Sequence, residues 1–273
     1  MMRAFALGSA LAAGLWAAAH ADERGAAFLA DLVGHDVVLL GEVHGNPAHH
    51  RLQAQGVAAL APAAIVWEML TPEQAAGLPD DLRDASALAR LLEWDQSGWP
   101  DFALYHPIML AAPGALHLGA EITRGQTRLV FEQPLAAVFE ALFDQPAQPL
   151  GITTPLDDTD QAAREAMQAA AHCDALPEDL LPGMVDAQRL RDAALAAQVL
   201  AALDRTGGPV AVITGAGHVR RDIGVPRKLA HAAPDLRVLS LAMLEAEPGP
   251  DAPFDRWIVT DAPSRADPCA AFD

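Results

Sequence analysis

The chain has 273 residues, of which 52% are hydrophobic, so it can bury a substantial core and general disorder is excluded. Its 36 acidic residues outnumber 18 basic ones, which gives a formal net charge of -18. This charge argues against nucleic acid and anionic membrane surfaces as partners. We expect a small-molecule ligand instead.

The first 21 residues have the pattern of a secretory signal peptide. Arg3 precedes an apolar run over 4–18, and residues 19–21 (Ala-His-Ala) have the form of a cleavage site. The run is short for a membrane span, and no cysteine lies near the cleavage point to carry a lipoprotein anchor. We therefore predict an exported, periplasmic bacterial protein without a stable membrane anchor, whose mature chain, 22–273, forms a single domain.

The two cysteines of the chain, Cys173 and Cys269, both lie in the mature part. In an oxidising compartment an even pair favours a disulfide, which would tie the C-terminal tail to the middle of the chain. Two separate thiols are the alternative, because the sequence does not give the distance between them.

The predicted elements alternate between helices and strands from the start of the mature chain. Residues 22–33 suit an amphipathic helix, and the apolar run 37–40 is typical of a buried strand. Asn46-Pro47 favours the start of a helix over 47–60, because Asn caps free N–H groups and Pro fits the first helical position. A second apolar strand follows within 63–70.

The rest of the chain continues this alternation. Helices are predicted at 80–92 and 102–112, and about 134–205 is strongly helical and forms an insertion. Further strands are predicted at 115–122, 210–214, 237–241 and 256–260, with a helix at 226–233. Because strands joined by helices form parallel crossover units, the predicted fold class is α/β. It is a mostly parallel sheet flanked by helices, with a helical insertion in the middle of the chain.

Four predicted strands end in charged or imidazole side chains. These are Glu42 with His44, Glu68, Glu121 with Arg124, and His218. Burying such groups unpaired costs several kcal/mol, and open α/β sheets bind ligands at the carboxyl ends of their strands. We therefore expect these groups to converge in one crevice, and ordinary solvated loops are the alternative for each. Glu42 and His44 are two residues apart, so on extended backbone they share a face.

Two chemistries fit such a crevice. Glu42, His44 and His218 could hold a divalent metal such as Mn, Co or Zn, with Glu68 as general base for a bound water. These four residues would then be the catalytic groups of a hydrolase, although the sequence has no compact HExxH motif. Alternatively the crevice could take haem, whose iron accepts His or Tyr as axial ligand.

The haem alternative singles out Tyr105, three arginines and His49. Tyr105 is the only tyrosine of the chain and a candidate iron ligand, although most lone tyrosines are packing residues with a bonded hydroxyl. The guanidinium groups of Arg124, Arg220 and Arg221 could pair with propionates, because the guanidinium fork matches a carboxylate. His49 lies in the first turn of the helix predicted after the first strand and is a further candidate for cofactor binding.

Four segments of the chain are similar to a known protein family. They are Gly41-Glu42-Val43-His44 with His49-His50, Trp67-Glu68-Met69-Leu70, Gly98-Trp99-Pro100 with Tyr105-His106-Pro107-Ile108, and the segment 215–226. Through them the chain resembles the ChaN family, which is grouped with Tiki, TraB and EreA proteins, over about 32–245. The resemblance implies an exported bacterial α/β protein that binds haem, serves iron uptake and often forms a homodimer that sandwiches haem.

The same resemblance keeps the hydrolase alternative open. The wider superfamily includes Tiki metal-dependent proteases and erythromycin-esterase-like hydrolases, which are similar at segments that map onto Glu42, His44 and His218. This chain departs from the ChaN family in lacking the lipoprotein cysteine and in carrying Glu121 where an amide is more usual. The leading prediction is a periplasmic haem-binding protein, and a metal-dependent hydrolase is the alternative.

Overall fold

A parallel sheet forms the centre of the fold. The computed structural model describes residues 28–271, so the predicted signal peptide, 1–21, lies outside the described residues. The strands are β1 (Val37–Glu42), β2 (Ala64–Trp67), β3 (Leu116–Gly119), β4 (Val210–Gly215), β5 (Val238–Leu244) and β6 (Arg256–Val259). Their order is β3-β2-β4-β1-β5-β6, and every neighbouring pair is parallel. The predicted α/β class is confirmed.

Helices connect and cover these strands. After helical residues 28–31, they are α1 (Pro47–Leu60), α2 (Pro72–Ala76), α3 (Ala85–Leu91), α4 (Trp94–Ser97), α5 (Phe102–Leu110), α6 (Arg124–Thr127), α7 (Leu135–Phe143), α8 (Asp158–Ala171), α9 (Leu181–Thr206) and α10 (Val225–Ala232). Helices α7 to α9 lie between β3 and β4, where the helical insertion was predicted. Among residues 28–271, no helix has the length and apolar character needed to cross a membrane.

The side chains of the central strands alternate between two cores. Val37 and Leu39 of β1 belong to the core that includes α9, whereas Val38 and Leu40 belong to the core beneath α1 and α5. Both faces of the sheet are therefore covered, which explains why the strands read as continuous apolar runs. Glu42 at the end of β1 contacts Tyr105 of α5, whereas Glu68 after β2 contacts His218, which lies against Asp192 of α9.

The start of α1 follows the predicted capping. Asn46 Oδ1 accepts a hydrogen bond from the N–H of Ala48 at 2.9 Å, and Pro47 is the first helical residue. Asn46 Nδ2 also donates to Glu245 Oε1 at 2.9 Å and to the carbonyl of Asp261 at 3.1 Å. The cap thus ties α1 to the C-terminal part of the sheet.

Some predicted bounds differ from the structure for local reasons. The helix predicted at 80–92 begins only at Ala85, because the Asp84 side chain caps it by accepting from the N–H of Ala87. The strand predicted at 115–122 ends at Gly119, where the carbonyl of Thr71 would lie 2.1 Å from any Cβ. The strand predicted at 237–241 continues to Leu244, since β5 pairs with β1 on one side and β6 on the other.

A disulfide joins Cys173 and Cys269, whose Cα atoms are 5.6 Å apart. The predicted pairing of the two cysteines is confirmed. The bond connects the turn after α8 with the short helical turn at the C-terminal end of the described residues.

Replacing both cysteines by serine is expected to lower the free energy of unfolding by about 2–4 kcal/mol. The two cysteines are 96 residues apart in sequence, and cross-linking a long loop restricts the unfolded chain. Urea denaturation of the double variant and of oxidised wild type measures the difference, with the singly substituted proteins as controls. Equal midpoints for the double variant and wild type would show that the bond contributes nothing.

Candidate functional site

The carboxyl ends of β1, β2 and β4 bring the predicted polar groups together. Glu42 is the last residue of β1, Glu68 directly follows β2, and His218 lies three residues beyond β4. Since β4 lies between β1 and β2, all three reach the same end of the sheet. Gly215 marks the meeting point, because a Cβ at Gly215 would lie 3.0 Å from His44 Nε2 and 3.7 Å from Glu68 Oε2.

Glu42 is buried and is surrounded by three polar groups. Its Oε1 lies 3.0 Å from His44 Nδ1 and accepts a hydrogen bond from the Tyr105 hydroxyl at 3.2 Å. Its Oε2 lies 2.8 Å from His50 Nε2, without the alignment of a hydrogen bond. Burial raises the pKa of Glu42, but the hydrogen bond from His44 and the charge of His50 outweigh burial and lower it. Glu42 is therefore an anion that orients the imidazole of His44.

His44 presents the other side of its ring to solvent. Its side chain is 36% exposed, and the ring packs edge to face on Trp99 with centroids 5.0 Å apart. Burial lowers the pKa of His44, but the hydrogen bond to Glu42 and the charge of Glu68 outweigh burial and raise it. Among the described residues, Nε2 of His44 has no hydrogen-bond partner. This nitrogen is available to a ligand.

His218 lies between two buried carboxylates. Its Nδ1 is 2.7 Å from Asp192 Oδ1, and its Nε2 is 3.2 Å from Glu68 Oε1. Glu68 Oε2 accepts further hydrogen bonds from the Thr214 hydroxyl and the Gly215 N–H, both at 2.7 Å. Burial lowers the pKa of His218, but the charge of Glu68 and the hydrogen bond to Asp192 outweigh burial and raise it to about 10. His218 is thus an imidazolium at neutral pH, and both its nitrogens are engaged.

The pKa values of Glu68 and Asp192 are shifted in opposite directions beside His218. Burial raises the pKa of Glu68, but the charge and hydrogen bond of His218 outweigh burial and hold it well below its usual range. For Asp192, burial raises the pKa by more than the hydrogen bond and charge of His218 lower it. Glu68 is therefore the more strongly stabilised anion of the two, whereas the shorter contact of His218 is the one with Asp192.

A cavity of about 420 Å³ opens above these groups. Its lining includes His44, Glu68, Trp99, Glu121, Arg124, Gln188, Arg191 and His218, together with apolar residues. Within residues 28–271, no carboxylate lies within 4 Å of the guanidinium groups of Arg124 and Arg191. The nearest polar contact of Arg191 is with the Thr127 hydroxyl at 3.5 Å. Both arginines are available to an acidic ligand.

Two of the three predicted arginines lie elsewhere. Arg220 binds Asp222, with NH2 2.6 Å from Oδ2, and Arg221 binds Asp255. Neither residue lines the cavity, whereas Arg124 does. An acid therefore occupies the guanidinium groups of Arg220 and Arg221, whereas Arg124 lines the cavity.

The side chains of Tyr105 and His49 are buried and make their contacts inside the fold. The Tyr105 side chain is fully buried, and burial with the charge of Glu42 raises its pKa above its usual value. His49 Nδ1 accepts from the N–H of Val43 at 3.0 Å, and its Nε2 lies 2.9 Å from the Thr260 hydroxyl. Burial lowers the pKa of His49 to about 4, so it is neutral. Neither residue lines the cavity.

Helix α9 supplies residues that the sequence interpretation missed. Gln188, Arg191 and Asp192 were predicted only as part of the helical insertion, yet all three face the site. Their spacing of three and four residues places them on one side of a helix. A buried aspartate among alanines was the available signal, because such an acid requires a partner.

The donor atoms do not converge on a common metal centre. Among the described residues, no group of three or more His, Cys, Asp and Glu side chains is arranged to hold a metal ion. Glu42 and His44 bond to each other, and His218 is enclosed by Glu68 and Asp192. The predicted ligand set of Glu42, His44 and His218 is therefore not assembled, and the Mn, Co or Zn alternative has no support from this arrangement.

The sheet and its crevice define an α/β ligand-binding protein, with the cavity at the carboxyl ends of parallel strands. Within that class, the chain belongs to the family described as haem-binding uptake, Tiki superfamily, ChaN, whose sequence profile matches residues 28–229. The family resemblance inferred from the motifs is confirmed.

Solved structures are similar to this chain at low sequence identity, and the likeness to ChaN shows a shared fold. ChaN of Campylobacter jejuni, in a structure that shows cofacial haem binding, is 18% identical with a TM-score of 0.63 over 83% of this chain and 88% of that chain. A succinoglycan biosynthesis protein is 11% identical with a TM-score of 0.43, over 78% of this chain and 67% of that chain. A variant of the erythromycin esterase EreC in its open conformation is 11% identical with a TM-score of 0.38, over 82% and 75%. No curated protein matches the chain.

Proposed function

We propose that this protein binds haem in the cavity at the carboxyl ends of β1, β2 and β4. The observation that carries the proposal is that one cavity joins the accessible imidazole of His44 to the unpaired guanidinium groups of Arg124 and Arg191. Haem requires both kinds of group, an axial ligand for its iron and cations for its two propionates. Membership of the ChaN family, and the haem bound by ChaN of Campylobacter jejuni, support the assignment.

His44 is the residue that would hold the iron. A ligating imidazole commonly donates its other N–H to a carboxylate, which fixes the tautomer and raises the basicity of the ligating nitrogen. Glu42 occupies this position at Nδ1 of His44. Between the predicted alternatives, a tyrosine or a histidine, exposure favours His44, because Tyr105 is fully buried with its hydroxyl on Glu42.

Trp99 and the arginines would complete the site. Trp99 packs against His44 and offers apolar surface beside the iron ligand. Arg124 from α6 and Arg191 from α9 also line the cavity, where propionates would meet them. The proposed biological role is haem carriage for iron uptake after export to the periplasm. Assembly as a homodimer around haem stays a prediction.

A hemin titration of the mature chain, 22–273, tests the proposal. We expect a saturable Soret band, and we expect the double substitution Arg124→Gln with Arg191→Gln to weaken binding by about 10- to 100-fold, because the propionates lose their cations. Arg220→Gln is the matched control, since that guanidinium group is paired with Asp222 outside the cavity. Its affinity is expected to equal that of wild type.

Two results would contradict the proposal. One is the absence of any saturable Soret band with the folded wild-type protein. The other is an equal loss of affinity in the double variant and in Arg220→Gln, which would place the propionates outside this cavity.

A further inference from the structure

One acid in the cavity has no cation bound to it. Glu121 lies two residues beyond β3, and its N–H donates to the carbonyl of Leu70 at 2.8 Å, which fixes the backbone there. Among the described residues, no Lys, Arg or His nitrogen lies within 4 Å of its carboxylate. Its side chain nevertheless lines the same cavity as Arg124 and Arg191.

The groups around Glu121 come from each element that borders the cavity. They are Glu68 after β2, His44 after β1, His218 after β4, Trp99 before α5, Arg124 on α6, and Gln188 and Arg191 on α9. The Glu68 carboxylate forms its ion pair with His218 and accepts hydrogen bonds from Thr214 and Gly215, so its oxygens are not directed at the arginines. Of the two acids in this lining, Glu68 is paired with His218, whereas Glu121 has no ion pair in the described part of the chain and is the acid that can compete for Arg124 and Arg191.

The surroundings of Glu121 also weaken its negative charge. Burial raises the pKa of Glu121 and the charge of Glu68 adds to this effect, whereas a hydrogen bond from Trp99 and the charge of Arg191 offset only part of it. The carboxylate therefore feels the charge of Arg191 and shares the cavity lining with Arg124, without an ion pair to either within the described part of the chain.

We infer that Glu121 sets the affinity of the cavity for acidic ligands, because its carboxylate competes with the acidic groups of the ligand for Arg124 and Arg191. This inference rests on the proposed function, since haem is a ligand with two propionates. A ligand carboxylate that enters the cavity is attracted by Arg124 and Arg191 and is repelled by Glu121, which carries the same negative charge. Glu121→Gln keeps the shape of the side chain. The attraction of the arginines for a ligand carboxylate therefore remains, and the repulsion by Glu121 is removed.

The test uses metal-free deuteroporphyrin IX, which carries two propionates but no iron, so that binding reports the acidic end of the site without an iron–histidine bond. At pH 7.5, Glu121→Gln is expected to bind this porphyrin about tenfold more tightly than wild type. The dimethyl ester of the porphyrin, which has no negative charge, is expected to bind both proteins equally. Fluorescence titration measures all four affinities.

Two controls separate a charge effect from a structural one. Glu132→Gln removes an exposed acid outside the cavity and is expected to leave every affinity unchanged. Lowering the pH protonates Glu121 in wild type, so the advantage of Glu121→Gln is expected to shrink as the pH falls. Glu121→Ala is a second variant and should show the same sign of effect if its circular dichroism matches wild type.

The outcomes distinguish this inference from haem binding itself. Equal affinities of wild type and Glu121→Gln for deuteroporphyrin at every pH, or weaker binding by the variant, overturn the role of Glu121 while hemin binding stands. If hemin binds but the metal-free porphyrin does not, the cavity does not hold the acidic groups and the inference also fails. If neither hemin nor the porphyrin binds, both the inference and the proposed function are wrong.

Discussion

His44→Ala is expected to weaken hemin binding by on the order of 100-fold and to remove the spectrum of an iron–histidine complex. Nε2 of His44 faces the cavity while Nδ1 is held by Glu42, so alanine removes the proposed iron ligand without emptying the arginine end of the site. The measurement is a hemin titration with optical and resonance Raman spectra. Added imidazole should restore the spectrum of His44→Ala, which loss of folding would not allow.

Tyr105→Phe is the matched comparison for this experiment. It removes one hydroxyl that donates to Glu42 and keeps the ring that packs in the core. We expect Tyr105→Phe to retain the wild-type Soret band. A band lost in Tyr105→Phe and kept in His44→Ala would show that tyrosine binds the iron and that the assignment to His44 is wrong.

Hemin affinity should also fall on acidification. The pKa of His44 is raised by the hydrogen bond to Glu42 and the charge of Glu68, which outweigh burial, so protonation competes with iron from a higher pH than for an ordinary histidine. The metal-free porphyrin does not bind Nε2 through iron. Comparing its pH profile with that of hemin separates the titration of His44 from that of Glu121.

His218→Gln is expected to lower the free energy of unfolding by about 3–5 kcal/mol at pH 7. The substitution removes the cation that lies between the buried carboxylates of Glu68 and Asp192. Urea denaturation measures the loss. His231→Gln is the control, because His231 is exposed and its Nδ1 lies 2.9 Å from the carbonyl of Pro149.

The effect of His218→Gln should depend on pH. The pKa of His218 is about 10 in the folded protein against 6.5 for the free side chain, so its stabilisation is complete below 6.5 and is lost as the pH rises through 10. The pKa of Glu68 is depressed, so its contribution is present above 4.5 and is lost as the pH falls. The difference between wild type and variant should therefore be smaller at pH 10 than at pH 7. A difference below about 1 kcal/mol at pH 7 would show that the buried group does not stabilise the fold.

The strand ends were the most predictable part of the site. Each strand delivers its terminal residue to the same edge of a parallel sheet, so Glu42, Glu68 and His218 could be placed together before any contact was known. Which partner each one holds depends on the helices. The position of Asp192 beside His218 requires the rotation of α9 about its axis, and the local sequence does not specify that rotation.

The arginines show that closeness to His218 in sequence does not predict which of them reach the cavity. Arg220 and Arg221 follow His218 directly in sequence, but their side chains point to Asp222 and Asp255 on the surface. Arg191 is 27 residues from His218 in sequence and still reaches the cavity, because α9 crosses the carboxyl ends of the strands. Asp222 lies two residues from Arg220, so a local partner was visible in the sequence, whereas Asp255 reaches Arg221 only through the fold.

Because Gly215 has no side chain, His44 and the Glu68–His218 pair are close enough to be coupled electrostatically. Without a side chain there, the ring of His44 and the carboxylate of Glu68 approach the same peptide unit, and the charge of Glu68 acts on His44. Such an influence is reciprocal, so a ligand that changes the charge at His44 changes the proton affinity of the Glu68–His218 pair by the same free energy. Ligand binding in the cavity should therefore change the ¹⁵N chemical shifts of His218, which lies in the protein interior.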